Sequence, residues 1–287
     1  MSSTVLTQML VNSAVLAVTY ALLALGLTMF FSVMNVMFFP AGSMYMIAAF
    51  GIYYLFAQYG MDYYMAGVIT IIALAGLALM IERGLYRPCL DDTLRVFFLG
   101  VGVNWFLESA GYQLFGLRTR GVPSVFPGTF TLLGATLAWQ RLVVICIGLT
   151  AVVSLYLFLT RTRFGLGMRC YVESPEAAAL QGIRKNTVLR MTFVLGVSLA
   201  ALAGVVLAPL VQLSPDMGSP AVFKAFLVVG LGGLGSIPGS LLAAFILATL
   251  DSFGSSLIGP QFTWGIVYFL VVVFLTIRPR GLMGVVR

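Results

Sequence analysis

Arg161-Thr-Arg163-Phe-Gly-Leu-Gly-Met-Arg169-Cys-Tyr-Val-Glu173-Ser174-Pro175-Glu176-Ala177-Ala178-Ala179-Leu-Gln-Gly182-Ile-Arg184-Lys185-Asn-Thr-Val-Leu-Arg190 is a polar island between two long apolar runs. A bilayer span needs about 20 mostly apolar residues, and basic residues collect in the loops on the cytoplasmic side. The island therefore reads as an inner loop of a helical membrane protein. Within it the residues mark a short helix. Ser174 suits the N-cap, Pro175 the first helical position, and Glu176 the positive end of the dipole. Ala177 to Gln181 are good helix formers, and Gly182 can end the turn in the left-handed region. Isolated helices shorter than about 12 residues are marginal in water, so this one must dock. Two docking partners remain open: its own membrane domain, or a soluble protein.

The composition agrees with a membrane chain. Of 287 residues 61% are hydrophobic and 9% charged, against roughly 25% charged in soluble domains. Long apolar runs without alternation exclude a strand barrel. The net charge of +7 follows from basic loops and a basic C-terminus, and is not read as nucleic-acid binding. The chain has no His, which removes the commonest metal ligand and general base. Neither paired carboxylates nor a metal-ligand cluster stands out, so a membrane enzyme is disfavoured. Cys89, Cys146 and Cys170 are odd in number and scattered, so no disulfide framework is implied. The N-terminus lacks a charged leader region and reads as a retained first span.

Spans are expected at roughly 9–32, 41–58, 64–81, 96–116, 142–160, 190–213, 239–258 and 262–277, with 222–236 either crossing or re-entrant. The expected fold is thus all-α, a polytopic bundle of about eight or nine transmembrane helices forming one domain over 1–287. The break at Asn35 to Gly42 is either a buried, cavity-lining segment or a tight surface turn. Glu82, Arg83, Arg87, Asp91, Asp92 and Arg95 make a compact charged loop, for which anchoring the span suffices as an explanation. The loop at 117–140 is basic yet is placed outside, because 161–190 is richer in Arg and Lys. Gly196, Ala200, Gly204 and Ala208 recur every four residues, a face for close helix packing. Gly230, Gly232 and Gly235 form a Gly-x-Gly-x-x-Gly. A dinucleotide site would need a strand before it and a helix opening on it, which the apolar context and Pro238 oppose. The glycine run reads instead as a helix break exposing backbone near the midplane. Glu108 and Asp251 are the intramembrane carboxylates that an ion-coupled secondary transporter would require.

Several stretches in order resemble the branched-chain amino-acid permease family of ABC importers. Gly167-Met-Arg169-Cys170, Ala179-Leu-Gln-Gly182-Ile183 and Thr192-Phe193-Val-Leu-Gly196 are similar to its coupling-segment pattern. Glu82-Arg83 with Tyr86-Arg87-Pro88 resembles its charged loop, and Lys224-Ala-Phe with Gly232-Gly233-Leu-Gly235-Ser236-Ile-Pro238-Gly239 matches nearly letter for letter. Arg278-Pro279-Arg280-Gly281 resembles its ending. Phe31-Ser-Val33-Met34, Phe38 to Gly42 and Met46 to Phe50 align with its first signature, but Phe38 and Ala41 stand where that signature has Asn and His. The resemblance implies a permease of the bacterial plasma (inner) membrane. It also implies two cytoplasmic ATPase subunits that bind the ATP, so that this chain needs no cofactor. A second related permease, an outer solute-binding protein and surrounding membrane lipid complete its expected partners. The ATPase-coupling residues it implies are Arg169, Glu173, Ser174, Pro175, Glu176, Ala177, Ala178 and Gly182. The translocation path is expected at Phe38, Phe39, Ala41, Gly42, Ser43, Lys224, Gly232 and Gly233.

Overall fold

The computed structural model describes residues 3–89, 92–132 and 135–284; Asp91 of the charged loop lies outside them. The helices in chain order are α1 (Ser3–Met34), α2 (Ala41–Ile52), α3 (Tyr63–Ile81), α4 (Thr93–Phe115), α5 (Trp139–Arg161), α6 (Arg163–Glu173), α7 (Pro175–Leu180), α8 (Lys185–Leu207), α9 (Gly218–Gly232), α10 (Ile237–Leu257) and α11 (Pro260–Ile277). A small antiparallel hairpin, β1 (Thr129–Leu132) with β2 (Ala135–Ala138), precedes α5.

The nine expected spans all find a helix, with different lengths. Among the described residues, six helices are long and apolar enough to cross a membrane: those beginning at Thr4, Tyr63, Trp139, Lys185, Ile237 and Pro260. The helix α4 is as long as several of these but more polar, with Arg95, Asn104, Glu108 and Gln113 along it. The helices α2 and α9 are short, and the expected straight span 41–58 is corrected. Regular α-helix stops at Ile52, and a π-helical stretch, Tyr53–Gln58, continues it. Three further differences concern loops. The island 161–190 contains α6 as well as the short helix α7. The outer loop contains the hairpin, whose Thr129-Phe130-Thr131-Leu132 alternates polar and apolar residues as a strand does. The glycine run 230–235 does not lie open; its place is given below.

Local chemistry fixes the helix ends. The Asp62 carboxylate accepts from the Tyr64 and Met65 amides at 3.1 and 3.4 Å, and Asp92 does the same for Leu94 and Arg95 at 3.0 and 3.4 Å. Both are N-caps that also place negative charge on the positive helix end. Asn35 ends α1 with φ 55, a left-handed conformation that Asn tolerates better than most residues. The loop after α4 is tied down at the end of α8 remote from α7. Arg120 exchanges backbone hydrogen bonds with Leu213 at 2.9 and 2.7 Å, and its guanidinium donates to Tyr53 Oη at 3.0 Å. Since α8 has 23 residues, about 34 Å of helix separates this loop from the 161–190 segment. The two basic loops therefore lie at opposite ends of α8.

The centre is α1 with α8. The former packs on α5, α8, α9 and α10, the latter also on α2 and α3. In lipid no hydrophobic gain separates helix–helix from helix–lipid contact, so close approach through small residues decides association. The α8 seam does this. A Cβ at Gly26 of α1 would lie 2.8 Å from the Gly196 carbonyl oxygen, and one at Gly204 would overlap the Tyr45 carbonyl of α2. Ala200 and Ala208 are fully buried on the same face. By contrast, Gly76 of α3 has open space beside it. We expect Gly204→Leu to cost about 3 kcal/mol or more, beyond ordinary overpacking because backbone must move. Gly76→Leu should leave detergent melting temperature near the wild-type value. Equal melting temperatures for the two variants would remove the seam from this account.

Candidate functional site

The segment joining α5 to α8 is built from two helices with separate caps. The Thr162 hydroxyl accepts from the Gly165 amide at 3.0 Å and starts α6, which folds back on the end of α5. The Ser174 hydroxyl accepts from the Ala177 amide at 3.3 Å and starts α7, with Pro175 in the first turn. At the far end Gly182 has φ 77, and the Ile183 amide donates to Ala178 at 3.0 Å. The cap, the proline and the glycine thus fall where the sequence placed them. What the sequence left open is which way the helix faces, and it faces both ways. Ala178 is completely buried against the chain itself, whereas Leu180 is 90% exposed, flanked by exposed Glu176, Ala177 and Ala179. Glu173 is exposed at the end of α6, and Arg169 reaches the Thr160 carbonyl at 3.5 Å, holding α6 to α5. The docked helix thus presents a large apolar side chain outward from a polar loop.

The residues at the α1–α2 break divide between core and edge. Phe38 is buried; its ring stacks on Phe30 at 3.9 Å and meets Phe193 at 5.4 Å and Tyr86 at 5.7 Å. The aromatic side chain that replaces the signature's Asn is thus absorbed into an aromatic core. Phe39 is half-buried and meets Phe226 of α9 at 5.0 Å and Phe97 of α4 at 5.5 Å. Ala41, Gly42 and Ser43 are buried. A Cβ at Gly42 would lie 2.5 Å from the Gly218 carbonyl oxygen, so the first turns of the two short helices α2 and α9 touch backbone to backbone. The Ser43 hydroxyl donates to Asn104 Oδ1 at 2.8 Å, tying α2 to α4.

The glycine run is a joint between α9 and α10. Gly232 packs on Gly239, and Gly233 has φ 101 beside Gly284 and Arg280. The Leu231 and Gly232 carbonyls accept from the Leu282 and Met283 amides at 2.8 and 3.0 Å. The backbone that the sequence reading took as exposed is covered by the C-terminal segment. Glycine is required because three strands of backbone meet with no room for a Cβ.

The charges within the bundle have partners among the described residues. Lys224 Nζ lies 3.8 Å from Asp251 Oδ2 and 3.8 Å above the Trp264 ring. Asp251 also accepts from Tyr20 Oη at 2.6 Å and Ser255 Oγ at 3.0 Å. Four helices, α1, α9, α10 and α11, are pinned at this point. Glu108 accepts from Ser219 Oγ at 2.9 Å. Glu82 is fully buried with Arg190 Nε at 4.0 Å, linking the end of α3 to α8. Both carboxylates considered for ion coupling therefore have partners. Sequence reading marked Lys224 and Asp251 separately but missed their contact and the roles of Tyr20 and Trp264. Only the odd presence of a Lys and an Asp in neighbouring apolar runs could have pointed to it. Removing one member of a buried pair costs about 3–5 kcal/mol, while replacing both with apolar residues is often neutral. Asp251→Asn should accordingly lower the melting temperature strongly, and Lys224→Met/Asp251→Leu should recover most of the loss. Failure of the double variant to recover would show that the pair is needed for more than neutrality.

The sequence matches one family of known proteins over nearly its whole length. A family model described as the permease component of branched-chain amino acid transport systems matches residues 9–276. The high-affinity branched-chain amino acid transport system permease protein BraD of Pseudomonas aeruginosa is 31% identical, over 96% of this chain and 95% of that protein. LivH of Escherichia coli, a permease protein of the same description, is 29% identical over 96% of this chain and 95% of its own length. Among solved structures, PsaBC from Streptococcus pneumoniae in complex with Fab has a TM-score of 0.54 at 12% identity, covering 95% of this chain and 92% of that one. At that identity the likeness concerns the fold alone. The family model and the relatives extend over nearly the whole chain, including the α6–α7 segment, the glycine joint and the paired charges. The chain belongs to the permease-component family of branched-chain amino acid transport systems.

Proposed function

We propose that this permease forms one half of the translocation path of a plasma-membrane ABC importer for branched-chain amino acids or related small amino acids and amides. The observation that carries the reading is the two-faced α7, with Ala178 locked to the membrane domain and Leu180 presented outward. On this reading two cytoplasmic ATPase subunits bind the nucleotide and press on the Leu180 face, and this chain binds none. Arg169, Glu173 and the Ser174 cap hold α6 and α7 as one lever, and Gly182 lets the chain turn into α8. A second related permease completes the path, and a solute-binding protein delivers substrate on the side of the β1–β2 hairpin. The path itself runs along Phe39 and the facing aromatics of α4 and α9. Phe38, Ala41 and Ser43 back it from the core, Lys224 stands at its edge, and Gly232 and Gly233 articulate the α9–α10 joint.

Two variants separate docking from coupling. Ala178→Pro places a residue costing roughly 3 kcal/mol in a helix interior, at a position that is also fully buried. It should detach α7, weaken ATPase retention and abolish most uptake at normal permease levels. Leu180→Asp leaves the helix docked and should weaken both ATPase retention and uptake at normal permease levels. Uptake in reconstituted vesicles should require ATP and survive a protonophore. Uptake driven by a pH gradient without ATP, or full uptake by Ala178→Pro, would sink the assignment.

A further inference from the structure

A half-enclosed cavity of about 220 Å³ lies between the start of α6, the turn after α7 and the first turns of α8. Its lining has two chemistries. Met168, Val188 and Met191 form an apolar floor, while exposed Phe164, Arg163 and Arg184 stand at the rim; no acidic residue lines it. Both arginines are exposed, and among the described residues neither makes an ion pair or a side-chain hydrogen bond. Beyond the floor, Met191 continues into Leu195, Ser198 and Leu202, a half-exposed stripe running along α8 into the membrane-spanning part. The neighbouring α6 carries exposed Phe164 and Leu166 beside exposed Arg161 and Arg169. Amphipathic basic helices of this kind lie at the headgroup level of a bilayer.

We propose that this cavity binds an anionic phospholipid of the cytoplasmic leaflet. The phosphate lies between Arg163 and Arg184, and an acyl chain follows Met191 and Leu195 along α8. The proposal rests on the cytoplasmic placement of α6 and α7 given above, but not on the identity of the transported solute. Charge complementarity and the apolar continuation together select the occupant. A free inorganic anion would use only the rim, and an acidic protein surface would leave the floor empty. Basic side chains near an anionic bilayer surface each contribute attraction worth roughly fivefold in binding. The site lies beside α7, so an ordered lipid there would stiffen the junction through which α7 moves α8.

The test uses the complete transporter, with its ATPase subunits, purified from vesicles of phosphatidylcholine with graded phosphatidylglycerol. Native mass spectrometry counts retained phosphatidylglycerol, and uptake gives the fraction needed for half-maximal activity. The wild type should retain phosphatidylglycerol, and Arg163→Gln/Arg184→Gln should retain roughly 25-fold less and need more of it for uptake. Gly167→Leu keeps both charges but fills the apolar floor, since a Cβ there approaches no atom nearer than Ile183 at 3.8 Å. It too should lose the lipid. Arg83→Gln/Arg87→Gln removes the same charge from the end of α3 and should bind as the wild type. Equal retention by wild type and Arg163→Gln/Arg184→Gln, or equal loss in the α3 control, would overturn the proposal. So would displacement of the lipid by excess inorganic phosphate, because a rim-only anion site would then be present. A transporter that retains the lipid as predicted yet carries no branched-chain amino acid would refute the proposed substrate and leave this site standing.

Discussion

The backbone of α8 touches the backbones of α1 and α2, and the rest of the molecule depends on that contact. Gly196 meets Gly26 and Gly204 meets the Tyr45 carbonyl, with no side chain between them. In a lipid surround a leucine gains nothing by facing another leucine instead of an acyl chain, so shape and proximity must hold the helices. The small residues of α8 supply that proximity. Two elements then become possible that would be unstable alone. The helices α2 and α9 are short, and their first turns meet at Gly42 and Gly218 within the protein. Irregular backbone at such a place is tolerated because neighbouring helices enclose it.

The same helix is the continuation of the α6–α7 segment. Between Gly182, which ends α7, and Lys185, which starts α8, there are only Ile183 and Arg184, too short a link to absorb a displacement. The helix α8 in turn packs on α1, α2 and α3. Glu82 meets Arg190 on the second turn of α8 at 4.0 Å, and its oxygens make no hydrogen bond among the described residues. A carboxylate buried and held only by a long ion pair is a costly arrangement, and it is placed where α3 and α8 would shift against each other. The segment that carries α7 thus runs directly into the packing seam of α8.

Charge is treated differently deeper in the bundle. Asp251 is the common acceptor for Lys224, Tyr20 and Ser255, and the Lys224 ammonium also lies over the Trp264 ring. Such a set pins α1, α9, α10 and α11 together. The arrangement leaves α9 anchored by its middle while its two ends carry glycines, Gly218 against α2 and Gly232 against α10.

Much of this was legible in the chain itself. Runs of about 20 apolar residues must be helical and buried in lipid, because no other structure satisfies their backbone there. Ser174, Pro175 and Gly182 declare the ends of α7 through local chemistry that needs no tertiary partner, and the four-residue spacing of small residues on α8 declares a packing face. Other features were not local and could not be read. Phe38 looked like a path residue until Phe30, Phe193 and Tyr86 enclosed it. The glycine run looked open until the C-terminal segment covered it, and Lys224 looked solitary until Asp251 and Trp264 approached it. The α6 helix was hidden because its cap, Thr162, lies inside a basic run whose charges drew the reading toward a loop. The sequence alone determined the long apolar helices and where α7 begins and ends, because those follow from solvation and from bonds between near neighbours. Which faces touch, which charges pair and which apolar residue is left outward were decided only by tertiary structure, since each depends on groups brought together from distant parts of the chain.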